Sequence, residues 1–118
     1  MILDDIKTKL EEIDSKVYYG AVSESVKEKP WNYIVFNRSV MRASQNKTGF
    51  SVIYSVHIVR EEFIPEGLEE AIIEKMLEIS GMRLAGNDCT YDYVTKPNTD
   101  MVVEMFSADF VRAKKKAA

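Results

Sequence analysis

One eleven-residue segment, Phe50 to Arg60, constrains the fold more than any other part of this 118-residue chain. Successive side chains of a β-strand point to opposite faces of a sheet, so a strict alternation of side-chain type predicts a strand. One predicted face is apolar throughout and takes Phe50, Val52, Tyr54, Val56 and Ile58. The other face mixes polar and apolar side chains: Ser51, Ile53, Ser55, His57 and Val59. The segment therefore predicts a strand with one buried face and one partly apolar face.

A second β-prone segment, Trp31 to Arg42, comes before this strand and is rich in aromatic and β-branched residues. Pro30 precedes it and favours extended backbone at its start. The stretch between the two segments, Ser44 to Gly49, is polar and ends in glycine, as turns often do. The pattern predicts a long antiparallel hairpin.

Two other segments have the spacing of amphipathic helices. The first carries an apolar stripe at intervals of three and four residues: Leu3, Ile6, Leu10, Ile13 and Val17. The second begins at Pro65-Glu66-Gly67 and ends at Gly81, and its stripe consists of Leu68, Ile72, Met76 and Ile79. Each stripe predicts a helix packed on the sheet of its own domain.

A short strand at Val17 to Val22 and a second hairpin, from Cys89 to Thr95 and from Met101 to Val111, complete the pattern. The predicted fold class is α+β, with two helices packed on one mainly antiparallel sheet of about five strands, in the order α-β-β-β-α-β-β. The length suits one domain. We expect residues 1–113 to form it and residues 114–118 to form a disordered basic C-terminal tail.

Composition narrows the classes of function. No cationic leader and no apolar run of membrane-spanning length is present, so we expect a cytoplasmic protein that contacts no membrane. Cys89 is the only cysteine, which excludes an internal disulfide. The net charge is −3, but four of the 16 basic residues fall in the last seven positions. The remaining 12 basic residues face 19 acidic ones, and such an acidic body disfavours binding of nucleic acid over a wide face.

No segment has the pattern of a catalytic, cofactor or metal site. His57 is the only histidine, and no motif supplies it with a nucleophile or an orienting partner. Cys89 lies close to Asp88 and Asp92, and nearby acids make a thiol less reactive. The acids of the second hairpin lack calcium-loop spacing, and the five glycines form no phosphate-binding motif. We therefore predict no catalytic residue, no cofactor, no metal and no enzymatic activity.

The mixed face of the first hairpin favours self-association instead. The regular alternation of a strand would place Arg38 and Arg42 on it with Ile53 and Val59, and a partly apolar sheet face is costly to expose. The polar turn can bury little apolar area of its own, so we expect it to become ordered on a partner. The predicted interface residues are Arg38, Arg42, Ser44, Gln45, Asn46, Lys47, Thr48 and Gly49.

The segment from Pro30 to Arg38 resembles the proline-then-aromatic-aliphatic strand of the tail-terminator (head–tail joining) proteins of long-tailed bacteriophages and prophages. Val17-Tyr18-Tyr19-Gly20 is similar to the short strand that precedes it in that family, and the order of elements also agrees. The resemblance implies a non-enzymatic virion protein, assembled in the cytoplasm of the bacterial host.

In that family a homo-oligomeric ring, typically of six subunits, caps the tail tube and joins it to the head connector. DNA passes through its channel without sequence-specific binding. Two alternatives from other classes stay open. One is a small ligand-binding or regulatory α+β domain of a bacterial cytoplasmic protein, and the other is a small enzyme without a familiar motif.

Overall fold

The computed structural model describes residues 1–23, 30–43 and 49–115. Within these residues there are two helices, α1 (Ile2–Glu11) and α2 (Leu68–Leu77). The strands are β1 (Val17–Tyr19), β2 (Tyr33–Ala43), β3 (Gly49–Glu61), β4 (Met82–Leu84), β5 (Thr90–Thr95) and β6 (Val102–Lys115). Both predicted helices are present, and Val17, the last residue of the first predicted stripe, lies in β1 instead of α1.

The six strands form one mixed sheet in the order β1-β2-β3-β6, and β4 and β5 pair with different parts of the far edge of β6. Only β1 and β2 are parallel; every other pairing is antiparallel. The predicted α+β class is confirmed. The prediction of about five strands missed β4, whose three residues are too few to show an alternation.

Both helices pack on one face of the sheet. Ile6 and Leu10 of α1 and Ile72 and Met76 of α2 are fully buried. The sheet contributes the face that alternation predicted, and its buried residues include Ile34, Phe36, Val52, Tyr54, Val56, Ile58, Phe106, Ala108 and Phe110. The main core therefore lies between the helices and this face, which we call the helix-covered face.

A β-bulge changes which side chains of β2 share a face. Arg38 pairs with Tyr54, whereas Val40 pairs with Ile53 and Arg42 with Ser51, so Ser39 is an extra residue in β2. One inserted residue moves every later side chain to the opposite face. Arg38 therefore lies on the helix-covered side with Tyr54, and Arg42 lies on the opposite face. The prediction that both arginines share the mixed face is wrong for Arg38.

The last strand is longer than the sequence suggested. Lys114 pairs with Phe50 and Lys115 with Gly49, so both lysines belong to β6. The prediction of a tail from residue 114 depended only on the positive charge of that segment. In the structure, β3 is 13 residues long, and its backbone pairs with β6 as far as residue 115. Residues 116–118 lie outside the described residues.

Candidate assembly surfaces

No helix among the described residues covers the second face of the sheet. At one end of this uncovered face, Tyr33, Val59 and Val103 are buried beneath partly exposed neighbours that include Trp31 and Met105. Toward the middle the face becomes polar and carries a hydrogen-bonded network on β2, β3 and β6. The uncovered face therefore combines a small apolar cluster with a polar centre.

His57 lies in this polar centre with partners that its sequence surroundings did not reveal. Its Nδ1 is 2.8 Å from the Ser107 hydroxyl, and its Nε2 is 3.3 Å from Asn37 Oδ1. The Asn37 amide nitrogen donates to Arg38 O, so Oδ1 is the atom that accepts from His57 Nε2. In the neutral imidazole, Nε2 therefore carries the proton and Nδ1 accepts from the Ser107 hydroxyl.

The network continues along the three central strands. Ser55 donates to Asp109 Oδ1 at 2.5 Å, and its hydroxyl also bonds the hydroxyl of Ser39, the bulge residue. Ser107 and His57 resemble a nucleophile and a base, but Ser107 lies on a strand that pairs with β3 on one side and β5 on the other. The sheet ladder uses the backbone N–H groups that an oxyanion hole would need. The chemistry available here is proton exchange between a histidine and a hydroxyl group.

Lowering the pH should destabilise the protein through His57. Burial lowers the pKa of His57, and the carboxylate of Asp109 opposes this effect. The folded protein therefore binds this proton less readily than the unfolded chain, so stability is highest above the unfolded pKa of about 6.5 and falls as the pH drops below it. The loss should not exceed about 1.4 kcal/mol per pH unit.

Urea denaturation between about pH 7.5 and pH 5.5 measures this loss, with His57→Gln as the reference. The chain has one histidine, so the difference between the two proteins isolates its titration. Parallel pH profiles for the two proteins would contradict the assignment.

A cleft of about 570 Å³ lies on the helix-covered side. Here the N-terminal residues of α1 approach the C-terminal halves of β2 and β6 and the N-terminal half of β3. We call it the basic cleft. Its apolar lining includes Leu3, Met41 and Val52, and its cationic side chains are Arg38, Arg112 and Lys114. None of the described lining residues is acidic. The cleft therefore combines apolar surface with a concentration of positive charge.

The three cations of the basic cleft form no ion pair with any carboxylate of the described residues. Arg38 Nε donates to the Tyr19 hydroxyl at 3.1 Å, and Arg112 Nε donates to Ser80 O at 2.9 Å. These hydrogen bonds position the guanidinium groups without neutralising their charge. An anionic group that enters the cleft could therefore pair with these cations without displacing a carboxylate of the described residues.

The structure separates the predicted interface residues. Arg38 lines the basic cleft, while Arg42 is exposed on the opposite face. Gly49 begins β3, where its pairing with Lys115 makes it part of the sheet and not of the turn. The predicted contacts at Ser44, Gln45, Asn46, Lys47 and Thr48 lie outside the described residues.

Cys89 is half-buried and packs against the main core. Burial raises the pKa of its thiol, and the nearby carboxylates of Asp109 and Asp88 raise it further. A thiol with a raised pKa is a poor nucleophile at neutral pH.

In the part of the chain that the structure describes, no three His, Cys, Asp or Glu side chains are grouped to hold a metal ion. Neither helix of these residues is long and apolar enough to span a membrane.

Comparison with known proteins finds no family model that matches the chain and no curated protein with significant similarity.

Proposed function

We propose that this protein is a non-enzymatic structural subunit that assembles with copies of itself, in the manner of the tail-terminator proteins it resembles. The observation that carries the proposal is the exposed end of the sheet. Six consecutive residues of β2, 38–43, are exposed although they are paired in the sheet. They include Val40 and Met41, whose side chains are 40% and 57% exposed. Val40 lies on the uncovered face with Ile53 and Met41 on the helix-covered side with Val52, so a neighbouring subunit that covers this end of the sheet would remove both side chains from water.

The shape of the molecule agrees with this proposal. The described residues span 52 × 28 × 24 Å, and their radius of gyration is 15.5 Å. A compact domain of this size has a radius of gyration of about 13 Å. The excess reflects the long strands β2, β3 and β6, whose far ends extend past the main core. An elongated subunit with exposed ends is suited to contacts with neighbouring copies.

Charge is also unevenly distributed along the sheet. The C-terminal halves of β2 and β6, which lie at one end of the sheet, carry Arg38, Arg42, Arg112 and Lys114. The other end, where β3 stops and β6 begins, carries the exposed acids Glu62, Glu66 and Asp100, which form no ion pair within the described residues. Opposite charges at opposite ends favour a head-to-tail arrangement of copies, which forms a ring when the rotation closes.

In the proposed role the ring, typically of six subunits in the resembled family, caps a tail tube and contacts a head connector in the virion. DNA passes through its channel without sequence-specific contacts. The acidic balance of the chain favours this arrangement, because negative charge weakens adhesion of the phosphate backbone to the protein.

Sedimentation velocity over a range of protein concentrations tests the proposal, and negative-stain electron microscopy of the largest species shows whether rings form. We expect oligomers whose population grows with concentration. They should weaken as NaCl rises from about 50 to about 500 mM, because salt screens contacts between charged ends. A monomer at every concentration and salt level would contradict the proposal.

A second candidate function is supported by the basic cleft itself. Its volume of about 570 Å³ falls within the range of about 300–1,000 Å³ that is usual for small-molecule sites. A regulatory domain of this kind would bind an anionic ligand with an apolar part, because cations and apolar side chains line the same cleft. Thermal shift with amphipathic carboxylates separates the two functions: saturable stabilisation of a monomer favours the ligand-binding domain.

A further inference from the structure

The segment between β3 and α2 presents an exposed aromatic side chain among acids. Phe63 is 66% exposed, more than any other large apolar side chain of the described residues except Met1. Glu62 precedes it, and Glu66 follows within three residues; both are exposed and form no ion pair with the described residues. We call Glu62, Phe63 and Glu66 the acidic knob. The acidic knob carries negative charge and the basic cleft carries positive charge, and both surfaces contain apolar side chains.

The backbone of the acidic knob is held firmly although the Phe63 side chain is not covered. Glu62 N donates to Val102 O at 2.7 Å, and Ile64 N donates to Glu104 Oε1 at 2.7 Å. Ile64 is buried in the main core, which anchors the segment directly after Phe63. A segment whose backbone is already fixed loses less conformational freedom when it binds a partner.

Glu62 also adopts a backbone conformation that is unusual for its residue type. Its φ is 70°, in the left-handed region that residues other than glycine and asparagine seldom occupy. Such conformations persist where the surrounding structure imposes them, and they are enriched at functional sites. Here the conformation directs the chain outward at Phe63 before it returns to the core at Ile64.

The acidic knob cannot reach the basic cleft of its own molecule. Glu61, which precedes the knob, pairs with Val103 near the start of β6, whereas Val52 and Phe50 beside the cleft pair with Arg112 and Lys114 near its end. Nine to eleven residues of a strand separate these positions, or about 30–36 Å at 3.3 Å per residue. Tyr54, which pairs with Arg38 of the cleft, is seven residues or about 23 Å from Glu61. The two complementary surfaces therefore lie at opposite ends of one molecule, and a contact between them requires two molecules.

We propose that the acidic knob of one copy inserts into the basic cleft of the next, with Phe63 on the apolar lining and the two glutamates near Arg38, Arg112 and Lys114. This inference rests on the proposed self-assembly and identifies the surfaces that perform it. Each copy uses a different surface toward each neighbour, so the contact is heterologous and repeats until a ring closes.

Two variants each remove one half of the contact. Phe63→Ser removes the aromatic group of the knob, and because this side chain is exposed the fold should be retained. Arg38→Glu combined with Lys114→Glu reverses two charges of the cleft and leaves Arg112 bonded to Ser80. Each change should weaken self-association by roughly thirtyfold, the effect of losing an interface hot spot. Leu77→Ser is the matched control, because Leu77 is 47% exposed on α2, outside both surfaces, and this variant should assemble like the wild type.

Mixing the two deficient variants gives the decisive measurement. The Phe63→Ser protein has an intact cleft, and the charge-reversed protein has an intact knob, so one productive contact remains between them. Sedimentation velocity should show each variant as a monomer alone and a 1:1 complex in the mixture, with no larger species. A wild type that assembles while Phe63→Ser assembles equally well would overturn the knob-and-cleft contact and leave the proposed function standing.

Two other results also decide the matter. If both variants lose assembly but form no 1:1 complex when mixed, the head-to-tail pairing of these two surfaces is wrong. If the wild type itself stays monomeric at every concentration, the proposed function fails and the inference fails with it.

Discussion

Replacing Phe110 with alanine is expected to lower the free energy of unfolding by about 3–5 kcal/mol. Phe110 is fully buried, and in the sheet it lies between Tyr54 of β3 and Leu84 of β4. Its side chain belongs to the main core beneath the two helices. The substitution removes a large apolar group and leaves a cavity, and both effects favour unfolding. Urea denaturation measures the change from the shift of the transition midpoint at constant slope.

The neighbouring residue provides the control for this prediction. Val111 lies next to Phe110 on β6, pairs with Ile53, and points to the uncovered face. Val111→Ala should cost only about 1 kcal/mol, because less apolar surface is removed from a partly exposed site. Equal losses for the two variants would contradict a core that lies on one side of the sheet.

The second large effect is expected at Arg60, whose side chain joins three parts of the chain. Its Nη2 is 2.6 Å from Asp14 Oδ2, and its Nη1 donates to Tyr33 O at 3.1 Å and to Val59 O at 2.9 Å. The side chains of Arg60 and Asp14 are 13% and 15% exposed. Arg60→Met should lower the free energy of unfolding by about 3 kcal/mol, because it leaves a largely buried carboxylate and two carbonyl groups without this donor.

Arg83→Met is the matched control, since Arg83 is exposed on β4 and forms no ion pair within the described residues. We expect its effect to stay within about 0.5 kcal/mol. Chemical denaturation of both variants at one pH and salt concentration makes the comparison. A small effect at Arg60, similar to that at Arg83, would show that the connection it makes adds little to stability.

The local pattern of the sequence was sufficient to predict the main elements of the fold. The alternation in β3 correctly identified the face that carries Val52, Tyr54, Val56 and Ile58, because a strand of thirteen residues shows its period clearly. The stripes of Ile6 and Leu10 and of Ile72 and Met76 identified both helices and their buried sides. These features depend on residues a few positions apart, so they can be read along the chain.

The candidate surfaces depended on features that no local pattern contains. The partners of His57 are 20 and 50 residues away in sequence, and the register of β2, β3 and β6 brings them together. Phe63 belongs to no sequence motif. The positive φ of the preceding residue, Glu62, distinguishes this segment, and a φ angle is known only from the structure. The basic cleft joins side chains of β2 and β6 with the start of α1, three segments that are far apart in the chain.

Arg38 and Arg42 show where the sequence stops being sufficient. By itself the sequence determined that both lie in one β-prone segment, and regular alternation put them on the same face. Only the tertiary structure decided otherwise: β2 has one more residue than β3 between their paired positions, so Ser39 is accommodated as a bulge and the two arginines lie on opposite faces, with Arg38 on the helix-covered side. The periodicity of a strand is a property of its own backbone, whereas a bulge arises from the pairing of two strands whose lengths must be matched.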